Sequence, residues 1–152
     1  MQKTYINWDD FHKDCESTAA QFINKEFDAI IALSRGGLVP ARIMANIVKP
    51  KEFLVLGLKL YNEHTAGEEV QLYQDIESLR EFDRHSNILI VDDISDSGKT
   101  LRFAFSHVFK KTGGAHIVSA TPYIKPNTCY NPTAYSKCFP DDEWIVFPFE
   151  KD

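Results

Sequence analysis

The segment that decides the fold reads Ile88-Leu89-Ile90-Val91-Asp92-Asp93-Ile94-Ser95-Asp96-Ser97-Gly98-Lys99-Thr100. Its four leading aliphatic residues predict a buried strand, which runs directly into two adjacent carboxylates. Burying paired acids at a strand end is costly unless a cation or a hydroxyl-rich group lies above them. Hydroxyls and a glycine then stand where a helix should begin, so unpaired backbone N–H groups favour a phosphate there. The segment predicts acids for a sugar diol or a magnesium ion beside an anion cradle, the complement of a ribose 5-phosphate.

Two other kinds of site share part of this segment. Gly98-Lys99-Thr100 is also the end of a Walker A loop, but that loop needs a glycine where this chain has Asp93. A receiver domain also carries an acid pair, with a threonine and a lysine such as Thr121 and Lys125, but its acids belong on the first strand. The sequence disfavours both interpretations.

Strand-like and helix-like segments alternate along the rest of the chain. The apolar patterns predict strands at 28–34, 53–60, 87–93 and 116–123, and helices at 8–25, 38–48 and 100–111. This alternation favours an α/β fold with a doubly wound, mainly parallel sheet, whose ligands bind beyond the carboxyl ends of the strands. A short helix is also predicted at 70–82, and the loop around His64 is a candidate lid.

The length of 152 residues predicts a single domain over residues 1–152. Residues from about 1 to 124 form the expected core. Five of the seven prolines lie within 121–152, so residues from about 125 to 152 are expected to form a small, irregular C-terminal hood on the sheet.

Charge and composition narrow the functional classes. Seventeen basic against twenty-two acidic residues give a net charge of -5, which opposes binding to nucleic acid. The apolar runs are too short for a membrane span, and the amino terminus lacks the pattern of a secretory signal, so we expect a cytoplasmic protein. The three cysteines lack metal-ligand spacing and are expected to be reduced thiols.

Residues 88–100 resemble the ribose-phosphate motif of the type I phosphoribosyltransferases: an aliphatic strand, two acids, two variable residues, then Asp-Thr/Ser-Gly-x-Thr. Three further blocks are similar in the same order. They are Ser34–Pro40 after the first core strand, Lys125-Pro126 after the last, and Trp144-Ile145 followed by Pro148-Phe149. The resemblance covers most of the chain and is strongest to the xanthine-guanine enzymes of bacteria and their archaeal purine relatives.

This resemblance implies a purine-salvage enzyme. It would move the 5-phosphoribosyl group of phosphoribosyl pyrophosphate onto a 6-oxopurine, namely guanine, xanthine or hypoxanthine, and release pyrophosphate. Mg²⁺ is the implied cofactor, and a homodimer or homotetramer is the implied assembly. The alternatives are a phosphoribosyltransferase for another base, or a regulator that binds phosphoribosyl pyrophosphate or a nucleotide without turning it over.

The resemblance also implies roles for particular residues. The ribose and its 5-phosphate would be bound by Asp92, Asp93, Ser95, Asp96, Ser97, Gly98, Lys99 and Thr100, with the Lys99 side chain expected to face solvent. Asp96 would be the catalytic base, and Asp93 the contact to the metal. Adjacent strand residues point opposite ways, so the two acids are not expected to form one symmetric clamp, and which of them meets the metal stays open.

Two other groups of residues take roles by the same resemblance. Ser34, Arg35, Gly36 and Gly37 would form the pyrophosphate loop, with a strained or cis peptide expected in it. Lys125 would donate to the 6-oxo group of the purine, Trp144 would stack on the ring, and the Ile145 carbonyl would meet the 2-position.

One feature departs from the family pattern. Bacterial relatives close a basic lid residue over pyrophosphate, whereas this chain has no Lys or Arg between Lys59 and Arg80 and carries Glu63, Glu68, Glu69, Asp75 and Glu77 there. Three explanations stay open: Lys59, Arg80 or Arg84 substitutes, closure is weaker, or the lid meets a partner subunit. An acidic lid is also the feature that admits a regulator which binds without catalysis.

Overall fold

The computed structural model describes residues 1–63 and 67–150. In chain order the elements are β1 (Gln2–Tyr5), α1 (Trp8–Ala20), β2 (Ala29–Ser34), α2 (Leu38–Val48), β3 (Glu52–Glu63), β4 (Gly67–Gln74), a 3-10 helix (Glu77–Glu81), β5 (Asn87–Val91), β6 (Ile94–Ser95), α3 (Lys99–Lys111), β7 (His116–Ala120), β8 (Tyr123–Ile124), β9 (Lys137–Cys138) and β10 (Glu143–Val146). The candidate lid loop around His64 falls on residues 64–66, outside the described residues.

Five strands form the central sheet in the order β4-β3-β2-β5-β7. β2 pairs in parallel with β3 and β5, and β5 pairs in parallel with β7, whereas β4 is antiparallel to β3. Ile30 and Ala32 of β2 join the buried cluster of α1 and α2, while Ile31 and Leu33 join the cluster of α3 on the other face. Helices therefore cover both faces, and the predicted doubly wound, mainly parallel α/β fold is confirmed.

The first helix begins where the sequence predicts and ends earlier. Asn7 caps α1, because its side-chain oxygen accepts a hydrogen bond of 2.8 Å from the backbone N–H of Asp10. The helix stops at Ala20 rather than near residue 25. Beyond it the chain turns tightly, with Phe22 N–H donating to the Ala19 carbonyl, and Phe22 packs edge-on against Phe27 with ring centroids 5.6 Å apart.

The helix predicted at 70–82 is wrong. Residues 67–74 form β4, which is antiparallel to β3 with Leu60 opposite Val70 and Leu58 opposite Leu72, and only Glu77–Glu81 is helical, as a 3-10 turn. The partner strand satisfies the backbone of this segment, and Val70 and Leu72 pack against the buried cluster of α3, so tertiary contacts override the local helical pattern. The described residues on either side of the expected lid loop thus belong to two antiparallel strands, β3 and β4, with β4 at the edge of the central sheet.

The amino-terminal strand pairs with the carboxyl-terminal segment. β1 runs parallel to β10 along its whole length, although the predicted core range of about 1–124 included β1. The hood predicted to be irregular contains β9 and β10, and β8 pairs with both β6 and β9. Phe147 and Phe149 pack on Phe11 of α1 with ring centroids 5.9 and 5.5 Å away, which fastens the hood to the core.

Across residues 1–63 and 67–150, no helix is both long and apolar enough to cross a membrane.

Candidate functional site

The carboxyl ends of β2 and β5 place two turns side by side. β2 and β5 are paired in parallel, with Ala32 opposite Val91, so the chain leaves both strands at the same edge of the sheet. The turn after β2 contains Ser34–Gly37, and the turn after β5 contains Asp92–Gly98. Parallel pairing of the strands therefore brings the predicted pyrophosphate loop next to the predicted ribose-phosphate motif.

The two turns touch at Gly36 and Asp93. A Cβ on Gly36 would lie 2.7 Å from Cγ of Asp93, closer than real side-chain contacts allow. Gly37 is equally confined, because a Cβ there would lie 2.8 Å from the Leu33 carbonyl oxygen. The peptide bond between Ser34 and Arg35 is cis, as expected for this loop. Both glycines allow close approach, Gly36 to the Asp93 carboxylate and Gly37 to the backbone of β2.

The acid pair is asymmetric. Oδ1 of Asp92 accepts a hydrogen bond of 2.8 Å from the backbone N–H of Asp93, which turns part of Asp92 toward the chain itself. Of the two acids, Asp93 lines both of the cavities described below, whereas Asp92 lines the small one. The two acids are thus differently placed, in line with the expectation that they do not act as one symmetric clamp, which stays a prediction.

Burial raises the pKa of both carboxyls. For Asp92, loss of water is the largest cause, and the charge of Asp93 adds to it. For Asp93, burial raises the pKa to about 6, and the charge of Glu150 contributes in the same direction. A cation or a set of hydroxyl donors above the pair would offset the charge that burial disfavours.

A small cavity of about 180 Å³ lies over the turn after β5. All the residues predicted to bind ribose 5-phosphate line it except Lys99: they are Asp92, Asp93, Ser95, Asp96, Ser97, Gly98 and Thr100. Lys99 is the first residue of α3, and its backbone N–H donates to Oγ of Ser97 at 3.3 Å. The Asp96 side chain is exposed at the cavity rather than buried.

Gly98 shapes this cavity into an anion cradle. Gly98 caps α3 with a φ of 86°, a left-handed conformation that favours glycine, and having no side chain it leaves the N–H groups after Lys99 uncapped by its own side chain. A Cβ on Gly98 would also lie 2.9 Å from the backbone nitrogen of Cys129. The amino terminus of α3 therefore presents backbone N–H groups and the positive end of its dipole to the cavity.

The segment Thr128–Tyr130 braces the cradle from outside. Oγ of Ser95 lies 2.8 Å from Oγ1 of Thr128 and donates to the Tyr130 carbonyl oxygen at 2.8 Å. The backbone N–H of Cys129 donates to the Ser97 carbonyl oxygen at 2.7 Å. The sequence analysis missed this support, because it lies some thirty residues along the chain and its residue types carry no motif.

A large cavity of about 1210 Å³ opens beside the small one. Ser34, Arg35 and Gly36 line it from the loop, Asp93 lines it from the motif, and Trp144 and Glu150 line it from the hood. The Trp144 side chain is 54% exposed, so one of its surfaces is available to a planar ligand. Asp93 and Leu60 line both cavities, which makes the two spaces adjoining parts of one site.

Lys125 and Ile145 do not line the large cavity. Lys125 is 3% exposed, and its Nζ donates to the carbonyl oxygens of Pro140, at 2.8 Å, and of Glu143. Ile145 is 6% exposed in β10, opposite Thr4 of β1. Lys125 therefore holds the hood backbone in place next to Trp144, a structural task that the sequence did not reveal.

Of the three cations considered as substitutes for a basic lid residue, only Lys59 lines the large cavity. Arg80 pairs with Glu77 on the exposed surface of the 3-10 turn, and Nε of Arg84 donates to Nε2 of His85 at 3.4 Å. Among the residues described, Arg35 and Lys59 are the cations that line this cavity.

The sequence analysis also missed Tyr73, which lines the large cavity from β4. Its hydroxyl oxygen lies 2.8 Å from Oγ of Ser34, at the start of the pyrophosphate loop. A glycine inside a strand, here Gly57 in β3, signals the close approach of another group and was the available clue.

The chain is similar to members of a known protein family. A family model described as the phosphoribosyl transferase domain matches residues 1–152. A curated relative, the xanthine-guanine phosphoribosyltransferase of Chromohalobacter salexigens, is 30% identical over 149 residues, which cover 98% of this chain and 85% of the relative.

Two solved structures are similar over nearly the whole chain. A purine phosphoribosyltransferase from Pyrococcus horikoshii is 31% identical with a TM-score of 0.85, and the match covers 100% of this chain and 96% of that one. A hypothetical protein from Neisseria gonorrhoeae with bound ppGpp is 25% identical with a TM-score of 0.84, covering 99% of this chain and 90% of that one.

Proposed function

We propose that this chain, which belongs to the phosphoribosyltransferase family and is a transferase, transfers the 5-phosphoribosyl group of phosphoribosyl pyrophosphate to a 6-oxopurine. The candidate bases are guanine, xanthine and hypoxanthine. The products are the nucleoside monophosphate and pyrophosphate, and the role is purine salvage. The observation that carries the proposal is the position of Asp93, which joins a cavity at a helix amino terminus to a larger cavity that contains Arg35 and Trp144.

We assign the two ends of phosphoribosyl pyrophosphate to the two cavities. The small cavity would hold the 5-phosphate on the backbone N–H groups at the start of α3, with the hydroxyls of Ser97 and Thr100 beside it. The large cavity would hold the pyrophosphate against the backbone of Ser34–Gly37, with the charge of Arg35 and of Lys59 nearby. The ribose then lies over Asp93, where its hydroxyls donate to the carboxylate.

The acid pair fits Mg²⁺ as cofactor. Among the described residues, no group of three or more His, Cys, Asp or Glu side chains is placed to hold a metal alone. Mg²⁺ is usually bound by one or two carboxylates together with substrate phosphate oxygens, and Asp93 beside the proposed pyrophosphate site offers that set. When bound, Mg²⁺ would neutralise charge on the departing pyrophosphate.

The chemical step separates charge between the ribose and the leaving pyrophosphate. The chain contributes by positioning: the cradle fixes the 5-phosphate, the loop fixes the pyrophosphate, and the carboxylate of Asp93 faces the sugar on which positive charge develops. Asp96 lies at the mouth of the small cavity, and we assign to it the proton that the purine loses as the new bond forms.

For the purine, we assign the stacking surface to Trp144 and the contact at the 2-position to the Ile145 carbonyl. The ammonium of Lys125 has three N–H donors, and two of them donate to the carbonyl oxygens of Pro140 and Glu143. We assign the third to the 6-oxo group. Lys125 does not line the large cavity, so this contact requires its ammonium to reach the purine from the hood. An adenine amino group would meet this donor with another donor, which would favour 6-oxopurines.

The test is turnover with phosphoribosyl pyrophosphate, magnesium and each free base, followed by absorbance. We expect nucleotide from at least one of guanine, xanthine and hypoxanthine, and a far lower rate with adenine. The variant Asp96→Ala should lower turnover by about 10²-fold or more while binding of phosphoribosyl pyrophosphate stays nearly unchanged. No turnover with any base would contradict the proposal.

A second candidate function is binding of a phosphoribosyl or guanine nucleotide ligand without catalysis. Two observations favour it: the acidic hairpin, which includes the exposed Glu69, and the bound ppGpp in the Neisseria gonorrhoeae structure. Saturable binding of ppGpp in calorimetry, with no turnover of any base, would establish this function in place of the first. The homodimeric or homotetrameric state, the cytoplasmic location and the single-domain boundaries remain predictions.

A further inference from the structure

Tyr73 is the extra residue of a β-bulge in the hairpin. Gly57 of β3 lies opposite Gln74, but the next residue, Leu58, lies opposite Leu72, so the register shifts by one and leaves Tyr73 without a partner of its own in β3. A bulge of this kind bends the strand and redirects the side chain of the extra residue. Among the described residues of β3 and β4, the register therefore shifts at one level, that of the pyrophosphate loop.

Gly57 leaves room for the ring of Tyr73. A Cβ on Gly57 would lie 2.6 Å from Cε2 of Tyr73 and 2.7 Å from Cβ of Gln74, so any larger residue would push the tyrosine away. On its other side Gly57 pairs with Ser34 of β2. The ring of Tyr73 thus crosses β3 at Gly57 and ends at Ser34, two strands away from its own backbone.

The phenol contacts both polar groups of Ser34. Its oxygen lies 2.8 Å from Oγ of Ser34, and its O–H reaches the Ser34 carbonyl oxygen at 3.3 Å. That carbonyl belongs to the peptide group that joins Ser34 to Arg35. Holding its oxygen fixes the direction of the following backbone N–H groups, which are the groups that a diphosphate would meet.

We propose that Tyr73 is a positioning residue for the anion-binding loop Ser34–Gly37: its hydroxyl holds Ser34 so that the loop backbone faces the diphosphate in the large cavity. This inference rests on the proposed function for the identity of the ligand. It also explains how a hairpin that carries acidic side chains supports an anion site, because the link it makes to the loop is a neutral hydroxyl.

The direct test is the affinity of Tyr73→Phe for magnesium pyrophosphate, measured by calorimetry, since binding can be measured whether or not the chain turns over any substrate. Tyr73→Phe keeps the ring over Gly57 and removes only the hydroxyl. We expect the dissociation constant for magnesium pyrophosphate to rise about 5- to 10-fold, the range expected for one lost hydrogen bond. Affinity for guanosine monophosphate, whose phosphate would occupy the small cavity, should be unchanged.

A double-mutant cycle separates positioning from direct contact with the ligand. If Tyr73 acts through Ser34, Tyr73→Phe combined with Ser34→Ala should bind pyrophosphate no worse than the weaker single variant. Tyr135→Phe, which removes an exposed phenol from the hood, is the matched control and should bind as the wild type does. Thermal melting should show all of these variants folded.

Three results would overturn the inference: wild-type affinity for pyrophosphate in Tyr73→Phe, strictly additive losses in the cycle, or an equal loss of affinity for guanosine monophosphate. If turnover fails for every base while Tyr73→Phe still weakens pyrophosphate binding selectively, the proposed function falls and the role of Tyr73 stands.

Discussion

The carboxylate of Asp93 packs against the backbone of Gly36, so that the turn after β5 and the turn after β2 form one surface. This contact joins the two cavities, because Asp93 lines both of them. The junction of the two turns places a carboxylate between two clusters of backbone N–H groups. Phosphoribosyl pyrophosphate has the complementary arrangement, with ribose hydroxyls between a phosphate and a pyrophosphate.

The first prediction concerns Gly36→Ala. The added Cβ would overlap the Asp93 carboxylate and force either the acid or the loop to move. We expect kcat/KM for phosphoribosyl pyrophosphate to fall by about 10²-fold, since small displacements of positioning groups carry costs of that order. The protein should still fold, as shown by a cooperative thermal transition.

Gly113→Ala is the matched control for Gly36→Ala. Gly113 has a φ of 70°, and nothing lies within 4 Å of a Cβ built there. This variant should lose about 1 kcal/mol of stability through backbone strain and keep full activity. Wild-type activity in Gly36→Ala would show that the contact with Asp93 is not needed.

The second prediction is that Asp92→Asn stabilises the protein when magnesium is removed with a chelator. Burial raises the pKa of both acids, that of Asp93 to about 6, and the charge of Asp93 raises the pKa of Asp92 further; an unfolded aspartate has a pKa near 3.9. The folded state therefore binds more protons between about pH 4 and pH 6, and wild-type stability should fall as pH rises through that window.

Asp92→Asn removes the repulsion between the two acids, so the free energy of unfolding should fall less steeply as pH rises. At pH 7.5 the variant should be more stable by about 1 kcal/mol. Urea unfolding at a series of pH values measures both quantities, and a variant less stable than wild type at pH 7.5 would refute the electrostatic interpretation. Activity should fall in the same variant, since Asp92 lines the small cavity proposed to bind ribose 5-phosphate.

The third prediction separates the structural task of Lys125 from its proposed contact with the purine. Lys125→Met would leave the carbonyl oxygens of Pro140 and Glu143 without their buried donor. We expect a loss of about 2 kcal/mol in the free energy of unfolding, measured in urea. Lys51→Met, which removes an ammonium that is 74% exposed, should cost less than about 0.5 kcal/mol.

Selectivity tests the other half of the Lys125 assignment. If the third donor of Lys125 recognises the 6-oxo group, Lys125→Met should lose its preference for 6-oxopurines over adenine as well as its stability. Loss of stability with the base preference intact would leave Lys125 a purely structural residue.

The fourth prediction concerns acid stability at the opposite end of the sheet from the site. Asp28 accepts a hydrogen bond of 2.7 Å from the backbone N–H of Asn87 and pairs with Lys51 at 3.2 Å. The hydrogen bond from Asn87 is the main cause that lowers the pKa of Asp28 below its usual value. Its stabilisation is therefore present above about pH 4 and is lost as pH falls through the lowered pKa.

Asp28→Asn should cost about 1 kcal/mol at pH 7, and the difference from wild type should vanish near pH 2. Equal differences at both pH values would show that the carboxylate charge plays no part. Lys51→Met in the same assay separates the exposed ion pair from the hydrogen bond to Asn87.

The central sheet was predictable because its signals are local. Each interior strand is an apolar run that ends in a turn, and Asn7 and Gly98 mark helix starts by their own chemistry. The composition of residues 92–98 likewise predicted an acid pair beside an anion cradle, and the structure places those residues around one small cavity.

What the sequence did not reveal depends on distant contacts. Residues 70–82 have a helical pattern, yet β3 pairs with the first part of them as a strand. β1 could not be assigned to the hood, since its partner, β10, lies at the other end of the chain. The contact of Tyr73 with Ser34 requires a register shift and a glycine in a neighbouring strand, and no single segment encodes it.

The most direct measurement is a crystal structure with magnesium and phosphoribosyl pyrophosphate bound. We predict the 5-phosphate on the backbone N–H groups of residues 97–100, the ribose hydroxyls on Asp93, and the pyrophosphate against Ser34–Gly37 with Arg35 beside it. A sugar bound away from Asp93, or a pyrophosphate outside the large cavity, would contradict the assignment.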